Sequence, residues 1–124
     1  MTILEDVSKS IGLPVGEDAF NPDILMFSNI AIFDLYQNGV ISVDSIKETT
    51  DWPELGYKGK GVNPQETLTP YLSMIVKIHF DSPAPSMVQT YNETANRILS
   101  RLATDVDSKR LEEIEIANKR RGIR

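Results

Sequence analysis

The sequence predicts a mainly α fold, a small bundle of about four principal helices with an extended C-terminal helical arm. Apolar residues recur at intervals of three and four in several segments, which is the period of one helix face. Two of these segments open with an asparagine followed by a proline, a pairing typical of a helix start. Two prolines one residue apart then separate two long segments, which predicts a helical hairpin.

The first helix is predicted to begin at Thr2. Thr2 and Glu5 have the spacing of a capping box, in which each side chain accepts a hydrogen bond from the backbone N–H of the other residue. The apolar residues that follow at helical spacing are Leu4, Val7 and Ile11. Gly12 is expected to end the helix as a residue with positive φ, and a loop leads from there to Phe20.

The second helix is predicted from Pro22 to about Asn38, with Asn21 as its cap and Gly39 at its C-terminal end. Its apolar residues cover nearly the whole circumference, and such a helix must be covered on more than one side. A domain of this size has little chain for that purpose, so we expect other subunits to cover part of the helix. The residues predicted to lie at a subunit interface here are Met26, Phe27, Ile30 and Phe33.

The segment from Val40 to Thr50 is open to two interpretations. Its β-branched residues favour a short extended piece. Asp44 or Ser45 could instead cap a short helix. The sequence alone does not choose between them.

One helical turn is predicted at residues 52–55, with Asp51 as its cap. Trp52, the single tryptophan, is expected to seal the core. The following residues, 57–62, alternate glycines with lysines and predict a flexible loop.

The third helix is predicted to start at Pro64, with Asn63 as its cap. Pro70 lies inside this segment, so it either kinks the helix or the helix begins later, with Thr69 as its cap. The helix is expected to end near Phe80 or Asp81, because two prolines follow.

The fourth helix is predicted after the corner that contains Pro83 and Pro85, with Ser82 or Ser86 as its cap. Its apolar residues step by three and four and form one stripe, Val88, Tyr91, Ala95, Ile98 and Leu102. Residues 104–108 hold two aspartates and two hydroxyl residues, and they are expected to interrupt the helix.

A final helix is predicted from Lys109 to about Asn118, capped by Asp107 or Ser108. The chain therefore divides into a helical body, residues 1–106, and a basic arm, residues 107–124. The arm has too few large apolar residues to pack firmly on the helical body.

Composition bounds what the chain can do. At 124 residues it is one domain, and it has no apolar run long enough to cross a membrane. The absence of cysteine excludes disulfides, thiolate catalysis and cysteine-based zinc sites. The absence of cysteine also fits synthesis in a cytoplasm, and no secretory signal is recognisable at the N-terminus.

The net charge of −5 is unevenly distributed. Residues 1–108 carry seven basic and fifteen acidic groups, a net charge of −8, whereas residues 109–124 carry six basic and three acidic groups, a net charge of +3. Phosphate contacts dominate nucleic-acid affinity, so an acidic body argues against nucleic-acid binding as the main activity. An acidic body is compatible with the wall of a channel past which DNA slides without binding.

No constellation of catalytic residues is recognisable. His79 is the single histidine, and on a helix it lies on a different face from Asp81. The paired acids Glu17 and Asp18 lack the ligand spacing of a calcium loop, as do Asp105 and Asp107. Residues 56–61 lack the order of a phosphate-binding loop. We therefore expect neither enzymatic activity nor a cofactor or metal.

Several segments together resemble the head–tail connector (adaptor) proteins of long-tailed bacteriophages. The resemblance covers roughly residues 3 to 103. It rests on the order and spacing of these segments: Ile3-Leu4-Glu5-Asp6-Val7, Gly12-Leu13, Asn21-Pro22-Asp23-Ile24-Leu25, Asn38-Gly39-Val40, Thr50-Asp51-Trp52-Pro53-Glu54-Leu55 and Phe80-Asp81-Ser82-Pro83. In that family an apolar helix ends in a Phe-Asp-Pro-Pro-like corner and an amphipathic helix follows, often close to the chain end.

The resemblance implies a structural protein of the virion neck, assembled in the host cytoplasm. Such adaptors form a ring, typically of twelve copies, under the portal protein. The ring extends the DNA channel and docks the stopper or another neck or tail protein, while genomic DNA passes without specific binding. With this assignment, Pro83 and Pro85 at the hairpin are also expected at the subunit interface.

The arm has three possible roles: a solvated chain end, a contact with the phosphates of passing DNA, or a segment that orders on a partner. With the resemblance we favour the last, with the portal as the partner. The predicted portal-binding residues are Lys109, Arg110, Leu111, Ile114, Ile116, Lys119, Arg120, Arg121, Ile123 and Arg124.

Two other functions compete with the adaptor. A small helical DNA-binding or regulatory protein would use the basic arm, but it would also need a basic surface on the body. A stopper or tail terminator would be another neck protein, and those are commonly rich in β structure.

Overall fold

The computed structural model describes residues 2–14, 16, 18–60, 63–81 and 84–122. Four α-helices and one 3₁₀ turn make up its regular structure, and the described residues include no strand. The helices are α1 (Ile3–Ser10), α2 (Asn21–Gln37), α3 (Pro64–Phe80) and α4 (Pro85–Arg120), and the 3₁₀ turn is Trp52–Leu55. The predicted mainly α bundle is confirmed, and its helical content disfavours the β-rich neck proteins.

Helix α3 lies at the centre of the bundle and packs against α1, α2, α4 and the 3₁₀ turn. Helices α1 and α2 and the 3₁₀ turn each contribute fully buried side chains to the core. Helix α4 contributes only two buried residues, Ala95 and Leu102, and both are slightly exposed. One continuous core results, and its largest fully buried residues are Tyr71, Ile3, Ile24, Ile32, Leu35, Ile41, Leu55, Leu68 and Leu72.

The capping box of α1 is confirmed. Thr2 Oγ1 accepts from the Glu5 backbone N–H at 3.2 Å, and Glu5 Oε1 accepts from the Thr2 N–H at 3.3 Å. Because hydrogen bonds from Thr2 favour the charged carboxylate, they lower the pKa of Glu5 below its ordinary value. Gly12 directly follows Ile11, the C-terminal cap residue of α1, and its φ is 91°. The prediction that a glycine with positive φ ends this helix is therefore confirmed.

The start of α2 differs from the prediction. Phe20 occupies the cap position, without a side-chain hydrogen bond, and Asn21 and Pro22 are already helical, so Asn21 is not the cap. The Phe20 ring contacts the Phe80 ring edge to face, with centroids 5.3 Å apart. This aromatic contact with the end of α3 fixes the helix start one residue earlier, and a proline is still tolerated in the first turn.

Residues 40–50 form neither a strand nor a helix, so the interpretation as a short helix capped by Asp44 or Ser45 is wrong. Asn29 on α2 holds this segment in place: Oδ1 accepts from the Ile46 N–H at 2.7 Å, and Nδ2 donates to the Ile46 carbonyl at 3.2 Å. The buried side chains of Val40, Ile41 and Ile46 reach the core from this irregular backbone. One amide side chain thus replaces the backbone pairing that a strand would have required.

The turn at Trp52–Leu55 is capped by Asp51, as predicted. Trp52 is buried, and its Nε1–H donates to Asp6 Oδ2 at 2.6 Å. Gln65 Nε2 donates to the same oxygen at 2.9 Å. The buried Asp6 carboxylate therefore joins α1, the turn and α3, and the predicted sealing of the core by Trp52 is confirmed.

Helix α3 begins at Pro64 with Asn63 as its cap, as predicted, and it continues through Pro70. The later start with Thr69 as cap is wrong. The Thr69 hydroxyl donates to the Gln65 carbonyl inside the helix. Proline removes only one hydrogen bond of the ladder, and the buried residues on both sides of Pro70 keep the helix in place.

Helix α3 ends at Phe80, as predicted, and residues 82 and 83 lie outside the described part of the chain. The proposed cap Ser82 and the predicted interface residue Pro83 are therefore not described. Helix α4 begins at Pro85 after Ala84, without a side-chain cap, so Ser86 as cap is wrong. A proline needs no such partner in the first turn, because it has no N–H to satisfy.

Helix α4 is one uninterrupted helix of 36 residues, about 54 Å long. The predicted interruption at residues 104–108 and the separate helix from Lys109 are wrong. Thr104 Oγ1 donates to the Ser100 carbonyl at 2.9 Å, and Asp105 Oδ2 accepts from the distant Lys60 N–H at 2.6 Å. These polar side chains find partners without ending the helix.

Candidate interaction surfaces

The outer face of α2 carries a stripe of large apolar side chains in solvent. Met26, Ile30, Phe33 and Tyr36 are 41% to 56% exposed, although the helix is well packed on its other side. Their spacing of four, three and three places them on one side of the helix. We call these four residues the α2 stripe; contiguous exposed apolar surface of this kind marks interaction sites.

Three of the four interface residues predicted on α2 lie in the stripe, and Phe27 does not. Phe27 is half-buried, and its ring stacks on the His79 ring of α3 with centroids 5.4 Å apart. Tyr36 was not among the predicted interface residues, although its spacing from Phe33 would have identified it. Its ring stacks on that of Phe33 with centroids 6.3 Å apart.

The electrostatics of α2 distinguish it from the rest of the body. No lysine or arginine occurs between Lys9 and Lys47, whereas Asp23 and Asp34 lie on α2 itself. Asp34 Oδ2 accepts a long hydrogen bond, 3.4 Å, from the hydroxyl of Tyr71. Burial of that tyrosine, with the nearby Asp34 carboxylate, raises the pKa of Tyr71 well above its ordinary value.

The hairpin end of the bundle is rich in aromatic rings. Pro85 is exposed at the first position of α4, close in sequence to the Phe20–Phe80 ring contact. The predicted interface residue Pro85 is therefore accessible, and it adjoins the end of the molecule at which α2 begins.

The described part of the arm, residues 107–122, is mostly exposed. Leu111, Ile114 and Ile116 are 49% to 66% exposed. Because α4 is continuous, the helical period separates Leu111 from Ile116 by about 140°. The three predicted apolar anchors therefore do not form one stripe, and only Leu111 and Ile114 share a face.

The basic residues of the arm have different surroundings. Lys109 is half-buried, and its Nζ donates to the Gly59 carbonyl at 3.2 Å. Lys119 makes an exposed ion pair with Glu115, at 3.6 Å, on its own helix. Arg110, Arg120 and Arg121 are exposed and make no ion pair with another described residue. Ile123 and Arg124 lie outside the described residues.

A second ion pair joins the arm to the body. Lys60 Nζ lies 2.7 Å from Glu112 Oε1, and both side chains are partly exposed. The hydrogen bond to that carboxylate raises the pKa of Lys60. The sequence did not reveal this contact, because the two residues lie far apart along the chain.

The described residues do not form the geometry of a metal site. Within the described ranges, no group of three or more histidine, aspartate or glutamate side chains could hold a metal. His79 Nδ1 lies 2.9 Å from the Ile75 carbonyl and carries the hydrogen of that bond, because a carbonyl only accepts. The described helices also include none that is long and apolar enough to span a membrane.

Comparison with known proteins gives one match. A family model described as phage connector protein matches residues 3–109, which include α1, α2, α3 and the first 25 residues of α4. The arm beyond residue 109 lies outside the match. No curated protein and no solved structure matches the chain.

Proposed function

The chain belongs to the phage connector protein family, and on that premise we propose that it is an adaptor that forms a ring under the portal. Membership establishes a structural role at the head–tail connection of a phage virion. The proposal adds a neck position, a ring of about twelve copies taken from the family resemblance, a channel for DNA and a docking surface for the stopper or tail. The observation that carries it is the match over residues 3–109.

We propose that the α2 stripe is the principal contact between neighbouring subunits. Four large apolar side chains lie in solvent on a helix that the core holds rigidly on its other face. Burying such side chains is favourable by roughly 25 cal/mol for each Å² of apolar surface. The hairpin end, with Pro83 and Pro85, would extend the same contact.

The arm is proposed to grip the portal. Its predicted residues combine three exposed apolar side chains with basic groups, of which Arg110, Arg120 and Arg121 are free to meet acidic groups on a partner. The arm extends past the family match, so it is where this chain differs from the common adaptor pattern. A ring that engages a ring makes many such contacts at once, and the later ones gain effective concentration.

The acidic body suits a channel that DNA must traverse. Like charges repel, so a wall with a net charge of −8 over residues 1–108 favours a mobile rather than a bound duplex. The basic arm is the one feature that favours a DNA-binding or regulatory protein instead. Binding of arbitrary duplex DNA that weakens steeply with salt would support that alternative.

Co-sedimentation with portal-bearing capsids tests the adaptor proposal. Three chains are compared: full length, a chain stopped after Glu113 and a chain stopped after Val106. The first truncation keeps Asp105, Lys109 and Glu112, the residues that contact the body, and removes the projecting end of the arm. We expect full-length protein to bind and both truncations to lose binding.

Each other outcome has a definite meaning. Loss only on stopping after Val106 would place the portal contact between residues 107 and 113. Equal binding by all three chains would move it to the body. No binding by the full-length chain, with capsids that bind another adaptor, would contradict the proposal. A stable ring of isolated protein would contradict the idea that the portal templates assembly.

A further inference from the structure

Apolar packing does not determine the direction of α4 beyond residue 106. Leu102 is the last buried residue of the helix, and Val106 is half-buried against the core. The next large apolar side chains, Leu111, Ile114 and Ile116, are exposed. Beyond the continuity of the helix itself, any further support for the direction of its distal part must come from polar contacts.

Three polar contacts with residues 57–60 supply that support. The Lys60 N–H donates to Asp105 Oδ2 at 2.6 Å, Lys109 Nζ donates to the Gly59 carbonyl at 3.2 Å, and Lys60 Nζ donates to Glu112 Oε1 at 2.7 Å. The three α4 residues are spaced by four and three, so they lie on one face over about two turns. This face is continuous with the face that buries Leu102.

The 57–60 loop is itself fixed to the core. The Lys58 N–H donates to the Val40 carbonyl at 2.9 Å, and the Ser42 N–H donates to the Leu55 carbonyl at 2.9 Å. Val40 and Leu55 are fully buried. The loop therefore transmits the orientation of the core to α4.

Gly59 permits the close approach of the loop and α4. The residue is buried, and a Cβ atom built on it would collide with the Tyr57 hydroxyl and lie 2.7 Å from Asp105 Oδ2. Both are ends of side chains rather than backbone atoms. Alanine at this position would thus displace both the Tyr57 ring and the Asp105 carboxylate, without a clash against backbone atoms.

We infer that the 57–60 loop is a positioning site that sets the direction of the arm, with Lys60, Gly59 and Asp105 as its central residues. The inference rests on the proposed role of the arm as the portal contact. Glu115 lies about 14 Å beyond Val106, so a swing of 15° about Val106 would move it by about 4 Å. A partner ring presents its binding sites at fixed positions. An arm that the loop already holds in one direction therefore loses less conformational freedom when it docks.

The distance between two spin labels in full-length protein tests the inference. The chain has no cysteine, so Gln37→Cys on α2 and Glu115→Cys on the arm provide unique attachment sites. The variants are Gly59→Ala and the double variant Lys60→Gln with Asp105→Ala. Lys58→Gln is the matched control, since it removes the same charge from the same loop, and the Lys58 side chain makes no hydrogen bond to another described residue.

We expect the distance distribution to be narrow in the unmodified chain and in Lys58→Gln, and to broaden by about 4 Å in both loop variants. Circular dichroism should show the same helical content in all four chains. An unchanged distribution in both loop variants would overturn the inference. So would broadening of equal size in Lys58→Gln.

Binding to portal-bearing capsids supplies a second readout. The loop variants should bind less tightly than the unmodified chain and more tightly than the chain stopped after Glu113. Broadened distances with unchanged capsid binding would overturn the positioning role. If the unmodified chain fails to bind capsids, the adaptor proposal fails, while the distance measurement still decides whether the loop directs the arm.

Discussion

The α2 stripe and the arm both present apolar side chains to solvent, but different forces hold the two surfaces. The stripe lies on a helix whose opposite face is buried at Ile24, Ala31, Ile32 and Leu35. The arm lies on a helix that is held near its base by three polar contacts with the 57–60 loop. The first surface is held by apolar packing in the core, whereas the second is directed by polar contacts of charged side chains that are half-buried or exposed.

This difference suits two kinds of partner. Identical subunits present the same surface in every copy, so a rigid apolar stripe can match its neighbour without adjustment. A portal ring is a different protein, and charged groups on mobile side chains provide orientation and specificity rather than a large buried area. We therefore expect the molecule to use one surface for contact with identical subunits and another for contact with the portal.

The largest expected effect comes from breaking the buried face of α2. Ile32→Ala should reduce the free energy of unfolding by about 2–5 kcal/mol, because it leaves a cavity under a fully buried side chain. Urea unfolding followed by circular dichroism measures the change.

The matched control is the neighbouring residue, Phe33→Ala, on the exposed face. It should change stability by less than about 1 kcal/mol and instead weaken assembly on the portal. A larger loss of stability at Phe33 than at Ile32 would contradict the division of α2 into a buried and an exposed face.

The second prediction concerns pH and the contact between α2 and α3. Tyr71 is buried, and burial raises the pKa of its hydroxyl in the folded chain. As pH rises, the unfolded chain therefore loses the hydroxyl proton at a lower pH than the folded chain does. Stability should therefore be unaffected below about pH 10 and fall above it, by up to about 1.4 kcal/mol for each pH unit. Tyr71→Phe should abolish this contribution, as measured by urea unfolding between pH 8 and pH 11.

Tyr36→Phe provides the contrast, because Tyr36 belongs to the exposed α2 stripe. This variant should retain the alkaline decline of the unmodified chain. If Tyr71→Phe declines just as steeply, another group is responsible for the loss of stability at high pH.

Local signals in the sequence predicted most of the helix ends. The Thr2–Glu5 capping box, the caps Asp51 and Asn63 and the glycine after α1 depend on residues within a few positions of each other. The errors arose where a distant contact decided the outcome. The Phe20–Phe80 ring pair moved the start of α2, and the Asn29 amide replaced regular structure at residues 40–50.

The same reasoning applies to the surfaces. An all-round apolar α2 predicted that some of its residues would be exposed, and Met26, Ile30 and Phe33 are. Periodicity alone could not determine which face the bundle covers, and Phe27, predicted at the interface with the other three, is half-buried against α3 instead of lying in the stripe. The loop contacts of the arm join Lys60 to Asp105 and Glu112, separations of 45 and 52 residues that no local pattern reveals.

The smallest expected effect, and the most direct test of the difference between the two surfaces, comes from salt. Two of the three contacts at the base of the arm involve an ammonium group, and the Lys60 and Glu112 side chains are partly exposed. Raising the ionic strength from 0.1 M to 1 M shortens the Debye length from about 10 Å to about 3 Å and screens such groups. The distance distribution between labels at residues 37 and 115 should therefore broaden with salt.

Apolar contacts respond to salt in the opposite sense or not at all, so portal-templated association through the α2 stripe should persist once it has formed. The Lys60→Gln, Asp105→Ala variant should already be broad at 0.1 M and change little further. A distribution that stays narrow at 1 M in the unmodified chain would mean that apolar packing and the continuity of the helix direct α4 without the loop contacts. The arm would then be as rigid as α2, and the two surfaces would differ in composition but not in the force that holds them.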